Sequence, residues 1–251
     1  AMTERDGSVL LAPVRFNWEA LYVNTDVLEA NGVAVPTSYD ELVAACASLA
    51  QKGVTPIANA MCEWAEIALD CAAMIGAPEN QYGQQPSLDG AKSVLTALTK
   101  VGAFGVDPWN LTDEDAKNTF LEGVAAMRFD GSDLAETLPE ARQEKTIVLS
   151  LSGMDGQART ALVGRPSYGL AITRACWQDS TRREAALSLV TRLLTGNGAA
   201  ALASPASTTK LGQSIAQMTA SASDCAGLLY DLNPDSFDNW TESVIASLMA
   251  M

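Results

Sequence analysis

An α/β fold is what this sequence predicts, and three observations predict it. Apolar runs with the length and composition of buried strands alternate with amphipathic helical runs along most of the 251 residues. Cap and turn residues fall between those runs, where a change of element needs them. Hydrophobic residues make up 48% of the chain, enough for a substantial core in one large or two small domains.

The elements follow in order. Ala20–Asn24 reads as an aromatic strand, and Thr25–Ala30 as a short helix ending at Asn31-Gly32, followed by a Val35-Pro36 turn. In the next helix, Tyr39–Gln51, Thr37 or Ser38 offers a side-chain oxygen to the free N–H groups and Asp40 or Glu41 completes a capping box. Its apolar side is Leu42, Val43, Cys46 and Leu49, and Gly53 sits past its end, where a positive φ costs little. Val54–Asn59 reads as a buried strand. Helices are then expected at Ala65–Ile75, Leu88–Val101, Thr112–Leu121 and Ser132–Ala141, with strands at Ala125–Phe129 and Thr146–Leu149. Short strands at Leu162–Val163 and Tyr168–Ile172 precede the helix Thr181–Leu194. The Ala/Ser-rich stretch Ala199–Ala226 reads as short helices and turns, and a helical tail ends the chain.

Composition excludes several functions. The formal net charge is −14, and no basic patch interleaved with aromatics appears, so a phosphate backbone would be repelled. There is no histidine, which removes the usual general base near neutral pH, the Ser-His and Cys-His pairs and the commonest zinc ligand. No D-x-D-x-D-G loop is present, so neither a metal nor any other cofactor is expected. The cysteines Cys46, Cys62, Cys71, Cys176 and Cys225 lack C-x-x-C spacing, and most read as small core residues. No window reaches the ~18 apolar residues of a membrane span.

The run Pro13–Ala60 holds its signals in a telling order: Glu19-Ala-Leu-Tyr-Val-Asn-Thr-Asp26, the Gly32-Val-Ala-Val-Pro36 turn, Thr37-Ser-Tyr-Asp-Glu-Leu42 and Lys52-Gly-Val-Thr-Pro-Ile57. It resembles the extracellular solute-binding proteins of ABC transporters, in particular the family-1 group that captures sugars and oligosaccharides. Phe120 to Ser132 is similar to a further passage of that family, and Tyr168-Gly-Leu-Ala-Ile-Thr173 to its crossover toward the first lobe. The resemblance implies a periplasmic-binding-protein-like (type II) two-lobe fold with a sugar cleft between lobes. Set against it, the chain holds mainly the C-terminal lobe and lacks a counterpart to roughly the first hundred residues, about one domain's worth. The implied division is 1–165 for the hinge strand and C-terminal lobe, 166–226 for the return segment of the incomplete first lobe, and 227–251 for a helical tail.

Sugars are held by aromatic faces stacked on C–H surfaces and by carboxylates and amides that bond hydroxyls. Aromatics are only 6% of the chain, so a Trp in a loop carries information. Glu63 and Trp64 follow the strand Val54–Asn59, at the kind of strand end where open α/β sheets place ligands. Asn17, Trp18 and Glu19 precede the hinge strand, while Asp130 and Ser132 follow another strand and cap a helix. Many members of the family carry a Trp just after that passage, but here Asp133 stands there. Tyr168 at the crossover and Trp240 before a late helix complete the candidate contacts.

The resemblance implies a carbohydrate-binding component that delivers its ligand to ABC permease subunits, located outside the cell or in its envelope and without chemistry of its own. The alternative is a truncated or split-gene remnant that folds, or self-associates through its incomplete lobe, without binding sugar alone. An enzyme reading, a glycosidase using Glu63 with Glu66 or Asp70, is weaker, because those carboxylates at helical spacing read as a solvated stripe.

Overall fold

Sixteen residues of unbroken strand, Val9–Asn24 (β2), run through the chain's centre of organisation, with the short strand Met2–Thr3 (β1) paired antiparallel near their start. The computed structural model describes residues 2–3, 9–61, 67, 70–71, 74, 88–151, 154, 161–194, 208–221 and 224–227. They fall into two compact units, a smaller one of Ala1–Asn17 and Arg165–Ala206 and a larger one of Trp18–Gly164 and Ser207–Met251.

In the larger unit β2 is a middle strand. The strands Met127–Gly131 (β3) and Thr146–Ser150 (β4) pair with it antiparallel on either side, with Leu21 opposite Phe129 on one and opposite Leu149 on the other. Beyond β3 the chain is extended and parallel to it: Ala126 and Met127 N–H donate to the carbonyls of Thr55 and Pro56, and Ala58 N–H donates to Met127 O. The expected strand Val54–Asn59 is thus reduced to one ladder bridge, Ile57 with Met127. Pro56 has no N–H to give, and Ile57 N–H goes to Ala103 O instead.

Alternation along the strands sorts the side chains. Leu21, Val23, Met127 and Phe129 join Ile57 in the main core. Helix α1 (Thr25–Ala30) adds Leu28, α2 (Tyr39–Gln51) adds Leu42, Cys46 and Leu49, and α3 (Leu88–Lys100) adds Val94, Leu95 and Leu98. Ile67, Asp70, Cys71 and Met74 are helical and buried. Tyr22 points to the other face and meets Phe120 of α4 (Asp113–Leu121) edge-on, with ring centroids 6.4 Å apart.

Helix starts follow their side-chain chemistry. At α2, Ser38 Oγ accepts from Glu41 N–H at 3.3 Å, while the Glu41 carboxylate reaches back to Thr37 N–H and Oγ1, both at 2.7 Å. That resolves the capping box as Ser38 with Glu41. Thr112 caps α4 in the same way. The expected helix Ser132–Ala141 is two pieces, α5 (Asp133–Thr137) and α6 (Glu140–Gln143), because Pro139 cannot donate and holds Leu138 extended.

The strands predicted at Leu162–Val163 and Tyr168–Ile172 are one, Ala161–Leu170 (β5), since the fixed φ of Pro166 suits extended backbone. β5 begins in the larger unit and continues into the smaller. There follow α7 (Arg174–Gln178), which no predicted element covers, and α8 (Ser180–Leu194). Thr173 caps α7, and Arg183 lies 5.5 Å over the Trp177 ring. No residue from 174 to 193 is buried, and Trp177, Leu187 and Leu189 are exposed. The Ala/Ser-rich stretch contains a twelve-residue helix, α9 (Lys210–Ser221), and the strand Asp224–Gly227 (β6), which pairs parallel with β5. α9 belongs to the larger unit: Val148 N–H of β4 donates to Ser214 Oγ at 3.0 Å, and Lys210 Nζ donates to Thr25 Oγ1 at 2.8 Å. The compact units therefore divide the chain differently from the sequence boundaries, which grouped 166–226 together. The expected helical tail lies outside the described residues.

Of the cysteines, Cys46 and Cys71 are buried and free, and burial pushes the Cys46 thiol up to about 12. Cys176 is half-buried and free, so it departs from the core reading. Cys62 and the Cys225 side chain lie outside the described residues.

Two polar devices fasten the larger unit. Asn24, fully buried at the end of β2, donates through Nδ2 to Phe120 O (3.0 Å) and Ala125 O (2.8 Å), and its Oδ1 accepts from Thr146 Oγ1 (3.1 Å). Arg142 reaches Asp26 with both terminal nitrogens, at 2.8 and 3.0 Å. Burial alone would raise the Asp26 pKa, but Arg142 and Lys145 outweigh it and hold the carboxyl below the ordinary Asp value. Gly123 leaves room for Arg142: its φ is +73°, and a Cβ there would lie 2.6 Å from Arg142 Nη1.

Replacing Asn24 with Ala takes the side-chain donor from Ala125 O and the acceptor from Thr146 Oγ1, and leaves Phe120 O with the Gly123 N–H alone. At roughly 1–3 kcal/mol for a buried group left unpaired, with partial relaxation, the expected loss is about 2–4 kcal/mol. Urea denaturation should show it as a lower midpoint with an unchanged slope.

Candidate functional site

Two strand ends of the larger unit converge at one edge. The extended segment Thr55–Ala58 and β3 run parallel, so the chain leaves both at the same side, and β2 enters the larger unit there at Trp18. The antiparallel register sets Glu19 opposite Gly131 and Ala20 opposite Asp130.

Asn59 locks the first of these ends. Its Nδ2 donates to Phe129 O and its Oδ1 accepts from Phe129 N–H, both at 2.9 Å, so a side-chain amide substitutes for a ladder residue where the regular pairing stops. Arg128 sits on the next position of β3. Its Nε donates to Asp130 Oδ2 at 2.6 Å, its Nη1 to Ala58 O at 2.8 Å, and its Nη2 to Asp113 at the start of α4. The side chain is 3% exposed. Burial would lower its pKa, yet the two aspartates reverse this and raise it, so the guanidinium stays charged.

An aromatic pair lies beside this cluster. Trp18 stacks on Tyr22 with centroids 6.1 Å apart and 22° between planes, and Tyr22 OH donates to Gly131 O at 2.9 Å. Burial first, and then the Asp130 charge, push the Tyr22 phenol well above its ordinary value, so it remains a donor.

Trp18, Glu19, Asp130 and Ser132 are thus brought to one edge. Asn17 and Trp18 are buried, and Glu19 is half-buried. Asp130 has both oxygens engaged, Oδ2 by Arg128 and Oδ1 by Gly131 N–H at 2.8 Å. Ser132 is buried at the cap position of α5 but makes no side-chain cap bond, a departure from the expected helix cap. Its backbone is already helical, with φ −58° and ψ −22°, whereas a capping side chain needs extended backbone. Tyr168 lies in β5, in the part that belongs to the smaller unit. Glu63, Trp64 and Trp240 lie outside the described residues.

Tyr22, Asn59, Arg128 and Asp113 were missed by sequence reasoning. Alternation in Met127-Arg-Phe-Asp130 is the signal that could have found Arg128, because charges two apart on a buried strand share a face and must be paired. Asp70 corrects the solvated-stripe reading of the carboxylates at 63, 66 and 70, since it is 6% exposed. Among the described residues, no group of three or more His, Cys, Asp or Glu is placed to hold a metal, and no helix is long and apolar enough to cross a membrane.

An α/β chain of two units, with polar and aromatic side chains gathered where strands end, defines a ligand-binding class of protein. The chain belongs to the bacterial extracellular solute-binding proteins, whose family profile matches residues 1–224. A Rhizobium meliloti protein described as a "probable sugar-binding periplasmic protein" is 27% identical over 142 residues, which is 50% of this chain and 33% of that protein. The match thus spans about a third of the length of that curated relative. A solved structure from work on xylan utilization by Caldanaerobius polysaccharolyticus superposes with a TM-score of 0.69 at 21% identity, covering 99% of this chain and 70% of that one. A Bacillus subtilis binding protein in an open conformation gives 0.72 at 13% identity, covering 99% and 69%. These structures share the periplasmic-binding-protein-like fold with this chain.

The Tyr22 phenol ties stability to alkaline pH. Its contribution is complete below the unfolded value near 10.0 and is lost as pH rises toward the higher folded value, because the unfolded chain ionises first. Tyr22→Phe should therefore flatten the alkaline limb of a melting-temperature profile relative to wild type, and an unchanged limb would refute the assignment.

Proposed function

We propose that this chain is the sugar-capturing component of an ABC importer, working outside the cell or in its envelope and passing its ligand to membrane permease subunits. The observation that carries the reading is the strand-end edge of the larger unit, where Trp18, Glu19 and Ser132 gather in a chain of the solute-binding family. Carboxylate and hydroxyl groups bond sugar hydroxyls, and an aromatic face covers the C–H surface. Trp64, five residues beyond Asn59, is the proposed stacking platform, with Glu63 beside it. Tyr168, Trp240 and Asn17 are further proposed contacts. The sugar class follows the description of the Rhizobium meliloti relative and the xylan setting of one structural neighbour. Binding without turnover is the reading that membership of the solute-binding family supports.

A thermal-shift screen against mono- and oligosaccharides, xylo-oligosaccharides included, tests this. A ligand at a hundred times its dissociation constant adds about 2.7 kcal/mol to the native state. A sugar-specific rise in melting temperature that Trp64→Ala abolishes is the expected result. A flat panel rejects the reading.

A second reading, a chain that self-associates, draws on the smaller unit. Residues 174–193 include no buried side chain, and the structural neighbours are longer chains of which this one covers about 70%. Exposed Trp177, Leu187 and Leu189 would then be covered on association. Light scattering coupled to size exclusion should show mass rising with concentration; a monodisperse monomer throughout rejects it.

A further inference from the structure

We infer that Arg128 is the positioning residue of the strand-end edge, and that Asp130 is the partner through which it holds the end of β3. The inference rests on the reading of that edge as the ligand side. Arg128 joins three separate stretches of chain through one planar fork: Ala58 O next to Asn59, Asp130 at the end of β3, and Asp113 at the first turn of α4. Each partner lies at a boundary of regular structure, Ala58 and Asp130 near an exit and Asp113 at an entry. Without the guanidinium, the last regular residue before Asn59 and the last before Ser132 would lose their common reference point.

Asp130 is the residue whose role this changes. Its Oδ2 accepts from Arg128 at 2.6 Å and its Oδ1 from the amide of Gly131 at 2.8 Å, so the orientation of the carboxylate is set from both sides within the protein. Gly131 is thereby held on both sides, its amide by Asp130 Oδ1 and its carbonyl, in the following peptide unit, by Tyr22 OH. The chain of contacts runs from Asp113 through Arg128 and Asp130 to Gly131 and Tyr22, and then to Trp18 stacked on Tyr22. A lysine cannot do the same work, since an ammonium is a point charge without the fork's geometry.

Peptide-resolved hydrogen exchange on the unliganded chain tests the positioning role directly. In Arg128→Lys, amides of residues 58–61 and 129–132 should exchange about tenfold faster while those of α2 keep wild-type rates. Uniform acceleration across the chain, or none anywhere, overturns the inference. Asp113→Asn, which alters a partner with a third of its side chain exposed, gives the same local pattern at lower amplitude and decides the matter if the lysine variant does not fold.

A binding cycle then separates positioning from contact, using whichever sugar from the panel shifts wild type. Arg128→Lys and Asp130→Asn should each weaken that sugar, and the double variant should be no weaker than the worse single one, as two changes to one linkage require. Fully additive losses would make Asp130 an independent ligand contact and overturn its assignment. If no sugar binds wild type, the sugar reading fails while the exchange result still decides the role of Arg128.

Discussion

The larger unit depends on a buried amide at the end of its middle strand. Asn24 closes β2, and its side chain answers two carbonyls of the α4–β3 connection and a hydroxyl of β4. Both flanking strands are antiparallel to β2, so their registers are independent of each other except through it. A slip by one residue would turn Leu21 and Val23 away from the main core and carry Tyr22 into it. The amide makes such a slip costly, since every alternative register leaves carbonyls buried without donors.

From that fixed point the arrangement of the edge follows. Four residues back along β2 from Tyr22 lies Trp18, on the same face by alternation, and across from Tyr22 lies Arg128. The aromatic stack and the ion-pair cluster are therefore neighbours because they share one register. Asn59 extends that register to the parallel segment through a side chain, in a place where Pro56 interrupts the supply of backbone donors.

Much of the fold could be read from the amino acids because local chemistry and tertiary packing agree. The Ser38 and Glu41 pair marks the start of α2, Gly53 at φ +73° marks its exit, and the bounds Thr25–Ala30 and Tyr39–Gln51 stand as predicted. Legibility failed where a local signal had a rival. Pro139 broke a pattern that otherwise reads as one helix, whereas Pro166 left β5 intact because its φ suits a strand. The site was legible in part: Trp18, Glu19, Asp130 and Ser132 could be picked out as polar or aromatic residues at strand ends. Asn59 could not, since its importance comes from a partner 70 positions away in the chain.

Gly123 places a restriction on how this sequence can drift. Any residue with a Cβ at 123 would press on the Arg142 guanidinium, and a displaced guanidinium would give up its grip on Asp26 at the start of α1. Changes at these positions are consequently linked: a larger residue at 123 would meet both the strain of a φ of +73° and the Arg142 guanidinium, and a guanidinium moved aside leaves Asp26 with Lys145 at 3.5 Å. Related chains should therefore vary at 123, 142 and 26 as a set, with the glycine surviving wherever the arginine does.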